Sequence, residues 1–227
     1  MNRTKIEWTD YTWNPIVGCK NGCPYCYARR FAERFYGSFE PRFFPERLDE
    51  PKRVKKPSKI FCCSMGEPFG DWIPRSWTAS ILYTMRNAYW HTFQILTKCP
   101  ENLLGKHSFV FPKNVWIGTT VDTRSAIHRI QYLRDVKARV KFISFEPLLE
   151  YIPQLDLLRA LRAFQTDNYI NWVIIGAKTG PKPFIPPRRW VEEIISAARY
   201  SGCAVFLKDN LRWPELIREF PNGGNEV

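Results

Sequence analysis

Short apolar runs alternate with amphipathic segments along most of the chain. The runs are rich in β-branched and aromatic residues, which is typical of buried strands, and they lie at 59–63, 93–97, 115–119, 140–144, 171–175 and 204–208. Amphipathic segments predict helices at 27–35, 76–88 and 189–200, with two more around 127–133 and 155–161. The end of a first short strand, which leads into a cysteine-containing loop, is expected at 15–18. Strands that alternate with helices predict a parallel sheet.

The pattern therefore predicts an α/β fold, an open, partial β/α barrel of about six to seven parallel strands. A chain of 227 residues with 44% hydrophobic residues can form a sizeable core, so we expect a single domain over 1–227. An insertion at about 37–58 that is rich in proline, with a cluster of basic residues toward its end, interrupts the domain. Its Phe39, Phe43 and Phe44 fit two interpretations, a nucleic-acid-contacting or lid loop, or a connection that packs its phenylalanines on the barrel.

Charge and cysteine usage narrow the class of protein. The formal net charge of +12 favours polyanions such as nucleic acids, although a charge that serves only solubility is the alternative. No apolar stretch is long enough to span a membrane, and the start of the chain does not resemble a signal peptide. Seven cysteines, an odd number, fit a reducing compartment better than a disulfide framework. We expect a cytoplasmic protein with no membrane contact.

Three of the cysteines lie in one short stretch. Cys19, Cys23 and Cys26 have the spacing C-x3-C-x2-C, and thiolates this close indicate a metal site. A structural zinc site takes four protein ligands, whereas a four-iron cluster can be held by three thiolates that leave one iron open. The three histidines show no metal-ligand spacing. The main alternative for the cysteine loop is a zinc site with three cysteines and one histidine.

Polar residues also follow the predicted strands at their carboxyl ends, where β/α barrels bind ligands. They are Ser64, Gly66 and Glu67 after the second strand, Thr97 at the third, Thr119 and Thr120 at the fourth, Ser144 and Glu146 at the fifth, and Gly176 at the sixth. The cysteine loop follows the first. We expect these residues to share one ligand face.

The cysteine loop, with Tyr25 directly before its last cysteine, resembles that of the radical S-adenosylmethionine (SAM) superfamily, in the branch that includes spore photoproduct lyase. The chain also resembles a group of phage and bacterial proteins (gp37/gp68-like) classified as a domain of unknown function. The matching blocks are Ile6-Glu7-Trp8-Thr9-Asp10, Thr12-Trp13-Asn14-Pro15, Ser64-Met65-Gly66-Glu67, Leu96-Thr97-Lys98, Ser144-Phe145-Glu146-Pro147-Leu148 and Trp172-Val173-Ile174-Ile175-Gly176.

The resemblance implies a [4Fe-4S] cluster on Cys19, Cys23 and Cys26, with SAM chelating the open iron and cleaved reductively to a 5′-deoxyadenosyl radical. It implies SAM contacts from Tyr25 and from the strand-end residues, namely Ser64, Gly66, Glu67, Thr97, Thr119, Thr120, Ser144, Glu146 and Gly176. The family's Gly-Gly-Glu turn is matched here by Met65-Gly66-Glu67, so its first glycine is replaced. Simpler roles stay open: packing for Tyr25, a salt bridge to a barrel arginine for Glu67 and a plain turn for Gly176.

The expected function is therefore a radical SAM enzyme acting on a nucleic-acid base or nucleotide, with an electron donor such as flavodoxin or ferredoxin. One alternative is a non-catalytic nucleic-acid-binding protein with a structural zinc or iron-sulfur site. Another is a radical SAM enzyme acting on a small metabolite or peptide. Cys62, Cys63 and Cys99 lie near the expected site, where each is either a hydrogen donor to a product radical or a buried structural thiol.

Overall fold

A computed structural model describes residues 1–161 and 169–221. The fold is α/β with a mostly parallel sheet of eight strands, which confirms the predicted class. The strands are β1 (Asn2–Arg3), β2 (Tyr11–Trp13), β3 (Ile16–Val17), β4 (Arg42–Phe43), β5 (Lys59–Cys62), β6 (Thr92–Thr97), β7 (Val115–Thr120), β8 (Val140–Phe145), β9 (Trp172–Ile175) and β10 (Ala204–Leu207). The α-helices are α1 (Tyr27–Tyr36), α2 (Glu50–Arg53), α3 (Arg75–Asn87), α4 (Arg129–Asp135), α5 (Gln154–Leu161) and α6 (Arg188–Tyr200).

The first of two compact units comprises Met1–Ile117 and Lys137–Arg139. Its strands β2, β5 and β6 pair in parallel, and β1 adds an antiparallel edge to β2. A short strand, β3, does lie within the predicted 15–18, but it is not the first strand of the parallel sheet, and that part of the prediction is wrong. The sheet strand ends at Trp13, and β3 instead pairs antiparallel with β4 in a separate two-stranded sheet. Pro15, which has no N–H to donate to a ladder, separates the two strands.

The insertion at 37–58 packs its aromatic side chains on the first unit. Phe39 is buried, and Phe43 stacks on Trp77 with ring centroids 5.4 Å apart. The Trp90 indole donates a hydrogen bond of 2.9 Å to the Val54 carbonyl, which holds the end of the insertion. These contacts match the interpretation of the insertion as a packed connection.

The second unit comprises Gly118–Val136 and Val140–Val227. Strands β8, β9 and β10 pair in parallel, and Phe142, Trp172 and Phe206 are fully buried in its core. The single-domain prediction stays a prediction. Within the described ranges, no helix combines the length and the apolar character needed to cross a membrane.

Candidate metal centre

The cysteine loop is anchored to the turn that follows β5 through a close approach of two glycines. Gly18 N–H donates to Met65 O (3.0 Å), and Glu67 N–H donates to Gly18 O (3.3 Å). A Cβ on Gly66 would lie 2.9 Å from Ile16 O, and one on Gly18, whose φ is +105°, would lie 2.4 Å from Glu40 O. Glycine at 66 therefore lets the turn after β5 lie against the loop, and glycine at 18 lets the loop lie against the insertion at Glu40. Gly66 has a structural reason to be present, whether or not SAM binds beside it.

Within the described residues the three thiols of the loop form no disulfide, and each is half-buried. Cys26 caps the N-terminus of α1, and its Sγ accepts from Arg29 N–H at 3.4 Å. The Sγ of Cys19 accepts from Asn21 N–H at 3.3 Å. Burial raises the pKa of the Cys19 thiol to about 12, an effect that the Asn21 N–H partly offsets. At Cys19 burial therefore outweighs the backbone donor, which by itself favours the thiolate.

Across residues 1–161 and 169–221, no group of three His, Cys, Asp or Glu side chains has an arrangement that could hold a metal ion. The donor set itself fits an iron-sulfur cluster. It consists of three accessible thiols in one glycine-containing loop, and two of the sulfurs already accept backbone N–H groups. Hydrogen bonds to the sulfurs are one of the means by which proteins tune such clusters.

Glu67 is a buried carboxylate at the centre of the first unit's site. Its Oε1 accepts from Thr97 Oγ1 (2.6 Å) and from Phe69 N–H (3.2 Å). Its Oε2 accepts from Lys98 N–H (2.8 Å) and from Asn21 Nδ2 (3.2 Å). Burial raises the pKa of the carboxyl group, and the four hydrogen bonds oppose that rise. None of these partners is an arginine, so these bonds do not match the salt-bridge alternative. Through them Glu67 links the cysteine loop to the ends of β5 and β6.

Two further pairs position the site in the first unit. The Lys98 ammonium donates to the Tyr25 hydroxyl at 2.7 Å and lies 5.3 Å from the centre of its ring. The Ser64 hydroxyl donates to Asn14 Oδ1 at 3.1 Å, and Asn14 Oδ1 also accepts from Met65 N–H at 3.0 Å. The structure thus brings Tyr25, Ser64, Gly66, Glu67 and Thr97 to the strand ends that carry the cysteine loop.

Sequence reasoning did not select Asn14 and Asn21, and it placed Lys98 at the end of the third predicted strand without giving it a role in the site. Asn14 and Lys98 belong to the blocks Thr12-Trp13-Asn14-Pro15 and Leu96-Thr97-Lys98, so a signal for them was present in the resemblance. Asn21 lies between two of the cysteines, and its side chain contacts Glu67. No local sequence pattern predicts that contact, because the two residues are 46 positions apart in the chain.

The remaining predicted site residues lie in the second unit. Thr119, Thr120 and Ser144 are buried at the ends of β7 and β8. The Arg129 guanidinium donates to Thr120 O at 2.9 Å and lies 3.5 Å from the Asp122 carboxylate. Buried side chains at these positions contribute to the packing of the strand ends.

Glu146 and Gly176 lie together in the second unit with Lys208, which sequence reasoning had placed only at the end of the last strand. The Lys208 ammonium forms an ion pair with the Glu146 carboxylate, and both side chains are mostly buried. A Cβ on Gly176 would lie 3.0 Å from the Glu146 side chain, so glycine provides the space for this pair. The assignment of both units' residues to one ligand stays a prediction.

The other thiols are buried. The Sγ atoms of Cys62 and Cys63 lie 3.5 Å apart, and burial raises the pKa of Cys62. The Sγ of Cys99 lies 3.5 Å from Asn21 Oδ1, close to the cysteine loop. Cys203 is buried near β10, and burial raises its pKa to about 12.

Comparison with known proteins identifies a family model and a set of solved structures. The model described as "Protein of unknown function (DUF5131)" matches residues 3–219. A cysteine-to-serine mutant of spore photoproduct lyase is 12% identical with a TM-score of 0.58, over 91% of this chain and 79% of that one. Spore photoproduct lyase complexed with dinucleoside spore photoproduct is 11% identical with a TM-score of 0.54, over the same shares of the two chains.

A further mutant of the lyase, with bound AdoMet and dinucleoside spore photoproduct, is 12% identical with a TM-score of 0.54, over 87% of this chain and 63% of that one. No curated protein matches the chain in sequence. At these identities the solved structures show the fold alone, and that fold is the partial β/α barrel predicted from the strand pattern.

Proposed function

This chain belongs to the DUF5131 family, and we propose that it is a radical SAM enzyme in which Cys19, Cys23 and Cys26 hold a [4Fe-4S] cluster. When bound and reduced, such a cluster supplies the electron that cleaves SAM into methionine and a 5′-deoxyadenosyl radical, which abstracts hydrogen from the substrate. The observation that carries the proposal is the anchoring of a three-thiol loop, through Glu67 and the paired glycines, to the strand ends of a spore photoproduct lyase-like fold.

The protein's own residues would hold and orient these groups. The N–H groups of Asn21 and Arg29 donate to two of the three ligand sulfurs. Glu67 also helps to fix the loop, because one of its four hydrogen bonds comes from the Asn21 side chain. Tyr25, which lies between Cys23 and Cys26 in the sequence and is held by Lys98, would contact the nucleoside of SAM through its ring.

We assign SAM contacts in the first unit to Tyr25, Ser64, Gly66, Glu67 and Thr97, on the basis of their shared position beside the thiols. We also propose SAM contacts from residues of the second unit, namely Thr119, Thr120, Ser144, Glu146 and Gly176. Among them Glu146, which lies beside Gly176, is mostly buried but keeps 23% of its side chain exposed. A charged group with partial solvent access can form a hydrogen bond with a ligand at a lower desolvation cost than a fully buried one.

The proposed substrate is a nucleic-acid base or nucleotide. Two observations support that class: the net charge of +12, and a fold shared with a lyase solved in complex with dinucleoside spore photoproduct. A cytoplasmic location and an electron donor of the flavodoxin or ferredoxin type belong to the same proposal. A small metabolite or peptide is the alternative substrate, and it predicts no binding of oligonucleotides.

The test is anaerobic reconstitution followed by iron and sulfide analysis, and then incubation with reductant and SAM with chromatography for 5′-deoxyadenosine. We expect about four irons per chain and 5′-deoxyadenosine from the unmodified protein. Cys19→Ala, Cys23→Ala and Cys26→Ala should each lose both. The matched control is Cys203→Ala, which removes a buried thiol of the second unit and should keep the iron.

Two results would refute the proposal. The first is a protein that binds zinc but no iron and yields no 5′-deoxyadenosine, which would establish the non-catalytic alternative. The second is an unchanged iron content in all three loop variants, which would show that the cluster lies elsewhere.

A further inference from the structure

Helix α1 carries three aromatic side chains that the fold leaves exposed. Tyr27, Phe31 and Phe35 are 49%, 52% and 68% exposed, and they recur every fourth residue, so they form one ladder along the helix. The rings of Phe31 and Phe35 are nearly parallel, at 8°, with their centres 6.4 Å apart. The helix packs on the protein through Ala28 and Ala32 instead. We call Tyr27, Phe31 and Phe35 the α1 aromatic face.

Two arginines line one side of this face. Arg30 and Arg34 are exposed and one turn apart, and at 100° per residue they lie next to the aromatic ladder. The Arg34 guanidinium lies 5.8 Å from the centre of the Phe35 ring. Within the described ranges neither arginine forms an ion pair, whereas Arg29, on another side of the helix, lies 3.9 Å from Glu33. The face therefore combines uncompensated positive charge with flat apolar rings.

The α1 aromatic face begins directly at the proposed metal loop. Cys26 is the cap of α1 and Tyr27 is its first residue. The Tyr27 hydroxyl donates to Ser64 O at 2.8 Å, which ties the start of the ladder to the turn after β5. Since a helix rises about 1.5 Å per residue, the ladder extends roughly 12 Å away from this turn.

We propose that the α1 aromatic face binds single-stranded nucleic acid, with bases stacked on Phe31 and Phe35 and phosphates contacted by Arg30 and Arg34. Aromatic platforms beside cationic side chains are the means by which proteins hold single strands without sequence preference. A protein partner would also cover exposed rings, but the two unpaired arginines and the net charge of +12 favour a polyanion. The inference deepens the nucleic-acid part of the proposed function, yet it requires neither cluster nor SAM.

The experiment uses the whole chain without reconstitution and a fluorescently labelled single-stranded oligonucleotide of about ten nucleotides, a length that one such surface can bind. Fluorescence anisotropy is measured over a range of salt concentrations. Phe31→Ala and Phe35→Ala should each weaken binding about tenfold. The double variant Arg30→Gln with Arg34→Gln should lower the slope of log K against log salt by about 1.4, because two phosphate contacts are lost.

The matched controls are Tyr83→Ala and Tyr89→Ala, which remove rings that are 69% and 66% exposed elsewhere in the first unit. Both should bind the oligonucleotide like the unmodified protein. Circular dichroism and the unfolding midpoint of every variant report whether it is folded. Should a phenylalanine variant unfold, Phe31→Leu, which keeps apolar bulk but not the ring, should still weaken binding.

Three outcomes would overturn the inference. The first is that no oligonucleotide binds at low salt, and the second is that the phenylalanine variants and the tyrosine controls bind with equal affinity. The third is that the phenylalanine variants still bind the oligonucleotide but no longer bind an acidic protein partner. The proposed enzyme chemistry fails separately. A protein without iron whose oligonucleotide binding depends on Phe31 and Phe35 would retain this inference and lose the other.

Discussion

Two buried charged groups in this protein differ in how completely hydrogen bonds satisfy them. The Glu67 carboxylate accepts four hydrogen bonds and joins the cysteine loop to two strand ends. The Lys141 ammonium is buried in the second unit, where it donates to Arg134 O at 2.7 Å. A buried charge with few partners costs free energy of folding, whereas a fully hydrogen-bonded one specifies a geometry.

Lys141 should make stability depend on pH. Burial lowers its pKa from 10.5 to about 8, with Asp135 opposing the shift and Arg134 adding to it. Below pH 8 both states are protonated and the folded state carries the burial cost. Between pH 8 and pH 10.5 the unfolded chain binds more protons, so the contribution of Lys141 to the free energy of unfolding rises with pH. We expect Lys141→Met to be more stable than the unmodified protein at pH 7.

That advantage should shrink by about 1–3 kcal/mol between pH 7 and pH 10.5. Urea unfolding at several pH values measures it. Lys137→Met removes an exposed lysine and is the control, whose stability difference from the unmodified protein should stay constant. Parallel pH curves for Lys141→Met and the unmodified protein would contradict the prediction.

At the scale of elements, the cysteine loop depends on how closely two chain segments approach. Gly18 and Gly66 form an isolated parallel bridge, so the backbone after β3 runs against the turn after β5. The loop's other glycine, Gly22, also has a positive φ, of +67°, but no atom lies within 4 Å of the position its Cβ would take. A side chain at Gly22 would therefore meet only the strain of a positive φ, whereas one at Gly18 would meet that strain and a steric clash.

Gly22→Ala should cost only the strain of a left-handed residue, about 1 kcal/mol. Gly18→Ala adds a contact of 2.4 Å with the Glu40 carbonyl and should cost at least about 3 kcal/mol, because backbone must move. Urea unfolding measures both costs. The reaction rate of the loop thiols with a thiol reagent should rise more in Gly18→Ala, since the loop detaches from the strand end. Equal costs for the two variants would show that the close approach does not hold the loop.

At the scale of the whole molecule, the sequence predicted the elements whose side chains are buried. The parallel strands appear as runs of β-branched and aromatic residues because both faces of such strands are covered. It missed β1, whose two exposed residues, Asn2 and Arg3, carry no apolar signal. The spacing of Tyr27 and Phe31 predicted α1, but a four-residue spacing fits a buried face and an exposed one equally well. Long-range partners such as Asn21 and Glu67 could not be found, since only the fold brings them together.

The proposed cofactors should change the stability of the molecule as a whole. A ligand that binds only the folded state stabilises it by about 2.7 kcal/mol at one hundred times its dissociation constant. We therefore expect SAM to raise the unfolding temperature of the anaerobically reconstituted protein by several degrees. SAM should leave the unfolding temperature of Cys23→Ala unchanged after the same treatment, because this variant loses a cluster ligand and with it the iron that SAM would chelate. A similar rise in both proteins would mean that SAM binds independently of the cysteine loop, and the proposed chelation would then be wrong.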